Sequence, residues 1–149
     1  MAIRKLNMLG LYSAMTTPQI NGESHTLLIT HVAQQAIAIT DILEIAAIPA
    51  DMKLLDAVIN TEGAGAANLT LGIMSGKPND SDPARTSGSE VFNAVPAGTE
   101  ARAGLVALAS IARSPGNRSL GLRTSAVIPI GAKIHLRLTY GAQPTHNAT

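Results

Sequence analysis

Between residues 133 and 140 polar and apolar side chains alternate without a break: Lys133, His135, Arg137 and Thr139 on one side, Ile134, Leu136, Leu138 and Tyr140 on the other. A period of two is that of a strand with one face buried. Upstream, Leu120 and Leu122 alternate with Ser119, Gly121 and Arg123, and between the two runs lies Ile128-Pro129-Ile130-Gly131-Ala132. Proline has no N–H to donate and glycine readily takes positive φ, so this is turn chemistry. The pattern predicts a terminal β-hairpin over 119–140. A hairpin cannot bury its apolar face alone, so earlier residues must supply a second layer, with Leu69, Leu71 and Ile73, or Leu55 and Ile59, as the facing set.

The same reading extends upstream. Thr26, Leu28, Thr30 and Val32 oppose Leu27, Ile29 and His31 in a β-branched segment, which predicts a strand. A second strand is predicted over 41–48, ending at Pro49. Residues 52–61 fit either helix spacing (Met52, Leu55, Ile59) or alternation, and strand is preferred because the glycine-rich turn 62–66 and the alternating Leu69-Thr70-Leu71-Gly72-Ile73 complete a hairpin. Residues 75–89 form the longest polar loop, a length that marks contact surfaces; Lys77, Asn79, Asp82 and Arg85 are its candidate contact residues. Over 102–112, Leu105, Leu108 and Ile111 stand at helical spacing, so one short helix is allowed in an otherwise all-β chain. The organisation expected is an arm (1–24), a β-sandwich domain (25–141) and a tail (142–149). Ile3, Leu6, Met8, Leu9 and Leu11 make the arm the segment expected on a neighbouring subunit or shell.

Composition narrows the function classes. The hydrophobic fraction of 46% comes from Ala, Ile, Leu and Val, with one Phe, two Tyr and no Trp. Many small aliphatic contacts must therefore replace aromatic burial, and part of the stability is expected to come from association. A net charge of +1 with 14% charged residues argues against a nucleic-acid binder. With no cysteine, disulfides, thiolate metal sites and cysteine nucleophiles are excluded. The apolar run at the N-terminus is short and broken by Asn7 and Gly10, unlike a signal peptide, and no stretch approaches a membrane span.

Chemistry-bearing patterns are missing. His25, His31, His135 and His146 have no metal-ligand spacing and are expected to face solvent. Gly63-Ala64-Gly65 lacks the third glycine and the following helix of a dinucleotide loop. Asp41, Glu44, Asp51, Asp56 and Glu62 are scattered, with nothing to single out an acid/base pair. No cofactor and no enzyme activity are expected.

The run from Asp41 to Thr61, with its apolar-Pro-Ala turn Ile48-Pro49-Ala50, then Leu69-Thr70-Leu71-Gly72 and the closing 130–140, resembles tailed-bacteriophage virion proteins. The resemblance covers about residues 25 to 141. It implies an antiparallel β-sandwich of jelly-roll type serving as a capsid decoration, or cement, protein. Such proteins sit on the outside of the virion shell, often as trimers, and reinforce it. The partners implied are the major capsid protein and further copies of the chain, a homotrimer or a dimer, with no nucleic acid and no membrane; assembly would take place in the host cytoplasm. A tail, baseplate or head-fibre part is the nearest alternative, followed by a carbohydrate-binding jelly roll, which the lack of aromatic rings disfavours.

Overall fold

The computed structural model describes residues 3–5 and 24–142. Nine strands and one helix follow in order: β1 (Ile3–Lys5), β2 (Ser24–Val32), β3 (Ile42–Ile48), β4 (Met52–Glu62), β5 (Asn68–Ile73), β6 (Phe92–Pro96), β7 (Ala101–Arg102), α1 (Leu105–Ser110), β8 (Arg118–Thr124) and β9 (Lys133–Ala142). They build an all-β sandwich of a five-stranded sheet, β1-β3-β8-β5-β6, and a four-stranded sheet, β2-β9-β4-β7. The core is shared between the sheets. Leu43, Ile45, Leu69, Leu71, Leu120 and Leu122 come from the first, and Ile29, Ala57, Ile59, Ile134, Leu136, Leu138 and Tyr140 from the second. The apolar face read from 134–140 is thus buried, and Leu69 and Leu71 belong to the same core.

The predicted hairpins are not hairpins. β8 pairs with β3 and β5, whereas β9 pairs with β2 and β4, so the two strands of 119–140 lie in different sheets. The stretch between them is engaged elsewhere: Ile128 and Ile37 exchange backbone hydrogen bonds at 2.9 and 3.0 Å, and Ala33 and Ala132 pair next to them. β4 and β5 likewise fall in different sheets. Alternation reports which face of a strand is buried; it carries no information about the partner.

What replaces the hairpins is one long antiparallel ribbon. β2 pairs with β9, β3 with β8, β4 with β7 and β5 with β6, so the two halves of the chain run beside each other and wrap together from sheet to sheet. Among the described strands, only β5 and β6 are consecutive in sequence and adjacent in one sheet. Residues 75–89 lie in the connection between them and form the tip of the ribbon.

Local chemistry fixes the corners. β3 stops at Pro49, and Asp51 turns the chain at φ 61, with Met52 N–H donating to the Pro49 carbonyl at 3.2 Å. Gly63 and Gly65 sit at φ 73 and 69, positions that side chains resist, and separate β4 from β5. A bulge between Leu54 and Asp56 turns Leu55 outward, so Leu55 leaves the expected core set while Ile59 stays in it. The helical spacing over 102–112 yields the six-residue α1; Leu108 and Ile111 are buried and Leu105 is exposed.

Gly72 in β5 passes so close to Gly88 that an added Cβ would lie 2.1 Å from the Gly88 carbonyl carbon. Backbone cannot yield as a side-chain tip can. Gly72→Ala is expected to destabilise by about 1–3 kcal/mol, read as a lowered denaturant midpoint.

Candidate interaction surface

The long loop is a built structure. Its neck is closed by Ser75, whose N–H donates to the Thr86 carbonyl at 2.9 Å and whose hydroxyl accepts from the Thr86 N–H at 2.8 Å. Inside, the Arg85 guanidinium donates to the carbonyls of Ser75 and Asp80, both at 2.8 Å, and to the Glu44 carboxylate at 2.7 Å. Glu44 projects from β3 and also accepts from the Asn79 N–H at 3.2 Å. The acidic side chains turn inward to cap the loop's backbone: Asp80 accepts from the Asp82 N–H and Asp82 from the Ala84 N–H.

Arg85 is therefore no contact residue. It is 2% exposed and Glu44 is fully buried, an ion pair that ties the ribbon tip across β3. Nothing in the local sequence distinguishes Arg85 from a rim arginine; the fold decides by laying the loop over Glu44. Burial pushes the Glu44 carboxyl up, but hydrogen bonds from Arg85, Ser119 and the Asn79 N–H, together with the charge of Arg85, outweigh this and hold it below the usual glutamate range. Lys77, Asn79 and Asp82 remain exposed on the loop. Ile3 lies in β1, whereas Leu6, Met8, Leu9 and Leu11 lie outside the described residues.

Two of the scattered carboxylates, Glu44 and Asp56, meet arginines, and Glu62 meets a histidine. Asp56 takes two 3.0 Å hydrogen bonds from Arg102, which hold its carboxyl below the usual range, and Glu62 meets His135 at 2.6 Å. No group of three metal-ligating side chains occurs among the described residues. On the outward face of the four-stranded sheet, Thr30 and Glu62 bracket the His135 ring from either side. Exposed polar contacts of this kind contribute little to folding. Accordingly, His135→Ala is expected to leave the melting temperature essentially unchanged.

His25 and His31 depart from the solvent-facing expectation. They pair with Tyr140 and Ile134, so they share the inward face of β2, near its two ends. The His25 ring stacks on Tyr140 at 6.3 Å, and burial lowers the His31 pKa.

No protein-family model and no curated protein matches the chain. Among solved structures, a chain in the capsid of Ralstonia phage GP4 superposes with a TM-score of 0.82 at 26% identity, over 97% of this chain and 100% of that one. The chain is thus similar over its whole length to a chain of a phage capsid. Chains in the cyanophage Pam1 capsid asymmetric unit (TM-score 0.48, 12% identity, 86% of this chain and 92% of that one covered) and in the acidic stable capsid of Helicobacter pylori bacteriophage KHP30 (0.40, 9%, 79% and 92%) are more distant.

For a capsid-related chain, the apolar side chains left in solvent matter as much as the polar loop. Leu105 and Val106 on α1 are 82% and 85% exposed, and Leu28, Ile39, Val127 and Ile130 are each more than half exposed. Sequence reading missed these positions. Leu28 stood out of register with the buried face of β2, but Leu105 shared its helical spacing with two residues that are buried.

Proposed function

We propose that the chain is a virion structural protein that binds the outer surface of a phage capsid and stabilises the shell, a decoration or cement protein. The observation that carries this reading is the match to the Ralstonia phage GP4 capsid chain, which spans nearly the whole of both chains. A likeness over the entire fold suits a protein whose function is its shape and surface rather than a pocket. The ribbon pairing, β2 with β9 through β5 with β6, distributed over facing sheets β2-β9-β4-β7 and β3-β8-β5-β6, supports assigning the fold to the jelly rolls. In this reading the protein is not an enzyme. Its partners are the major capsid protein and copies of itself, as a homotrimer on the capsid exterior, with Lys77, Asn79 and Asp82 and the arm residues Ile3, Leu6, Met8, Leu9 and Leu11 as contacts.

The test is to mix the purified protein with undecorated empty capsids of its own phage and follow co-sedimentation and the shell's resistance to heat. Binding to saturation at hundreds of copies per particle, with a raised disruption temperature, is the expected result. A protein that ignores capsids overturns the reading, and saturation at a few tens of copies points to a tail or baseplate part. Deleting residues 1–20 is expected to abolish capsid binding while the β-sandwich stays folded; unchanged binding would remove the arm from the contact set.

A further inference from the structure

We propose that β1 is a strand given to a second copy of this chain: residues 3–5 of one copy complete the five-stranded sheet of its neighbour along Ile42–Glu44. Three observations lead there. First, β1 stands outside the ribbon. Every other described strand has an antiparallel ribbon partner, whereas β1 joins by parallel pairing alone, Ile3 with Ile42, Arg4 with Leu43 and Lys5 with Glu44. Second, the strand it covers is unusual for a sheet edge. All seven residues of β3 are buried and all but the Arg85-paired Glu44 are apolar, so without β1 the sheet would end on a mostly apolar strand, a template for uncontrolled pairing. Third, residues 6–23 separate β1 from β2. A connection of that length reaches up to ~60 Å, beyond the roughly 35 Å across a domain of this size.

The backbone pairing is the same whichever chain supplies the strand. Closure by symmetry favours a second copy as the donor. Each copy offers one strand and presents one acceptor edge at a different place, which is a head-to-tail contact, and such contacts are all satisfied when copies close into a ring. A pairing of three residues is weak in isolation and gains from being repeated around a closed ring. This inference rests on strand pairing and stands or falls separately from the capsid reading.

The chain has no cysteine, so a designed pair reports without background. In the doubly substituted chain Arg4→Cys with Leu43→Cys, the paired positions of β1 and β3 lie within disulfide reach. After oxidation and denaturation without reductant, covalent multimers are the expected result. Mixing a tagged Arg4→Cys chain with an untagged Leu43→Cys chain is expected to give a linked heterodimer. The pair Ile3→Cys with Ile42→Cys repeats the test should Leu43→Cys disturb the core. Monomers closed on themselves, or no link from either pair, overturn the proposal. So does a full-length chain whose native mass is that of a monomer, or a chain lacking residues 1–5 that keeps the full-length oligomer mass.

Discussion

Replacing Arg85 by alanine is expected to destabilise the protein by about 3–5 kcal/mol, the usual consequence of leaving one member of a buried ion pair alone. For a chain of this size that is a fall in melting temperature of roughly 10–15 °C. The reason lies in what would remain: Glu44, fully buried in β3, would lose its only cation and keep two neutral donors, the Ser119 hydroxyl and the Asn79 N–H, and the carbonyls of Ser75 and Asp80 would lose the donors that shape the loop. The pH dependence gives a second signature. In the native protein the Glu44 pKa is depressed, so its stabilising contribution is complete above the ordinary glutamate value of about 4.3 and is lost as pH falls through the lower folded value. In Arg85→Ala burial, the largest influence on Glu44, is opposed only by the neutral donors Ser119 and Asn79, so the pKa rises and the variant regains stability as the carboxyl takes up a proton. Melting curves of the two proteins should therefore converge on acidification. A gap that stays constant with pH would mean that the pair is not what holds the loop.

Phe92→Ala is the second large effect, about 3–5 kcal/mol. Phe92 is the only phenylalanine in the chain and is 3% exposed. It opens β6, an edge strand whose later residues are exposed or half-buried, and it pairs with Leu71 in β5. With Val91 it is the part of that edge buried in the core, and truncation to alanine leaves a cavity that its surroundings fill only in part. Chemical denaturation should show a lower midpoint. Hydrogen exchange should show β6 amides opening well before those of β9; uniform exchange across both strands would contradict this account.

Element positions were legible from the chain because burial on one face leaves a period-two trace. The residues 26–32, 41–48, 52–61, 69–73 and 133–140 all lie in or against strands, and the helical spacing of Leu105, Leu108 and Ile111 returned as α1. Partners were not legible, because Ile134, Leu136 and Leu138 read the same whether their neighbour is eight residues away or a hundred. The turn residues Pro129 and Gly131 suggested a local reversal, yet they lie in a stretch that carries the ribbon from one sheet to the other beside Ala33 and Ile37. At the loop, composition marked residues 75–89 as a polar connection but placed Arg85 on its surface. Its burial depends on Glu44, far back in the sequence, and no local pattern links the two.

The ribbon also orders events during synthesis. β9, the last described strand to leave the ribosome, lies between β2 and β4 rather than at an edge, so those two strands stay unjoined until residues 133–142 have emerged. β2 must wait unpaired for a partner more than a hundred residues downstream, while β5 and β6 can meet early. Contacts of such long sequence separation slow folding. The nascent chain is thus committed to finishing before it can close, and a translation stop shortly before Lys133 would release a product lacking the strand on which both β2 and β4 depend.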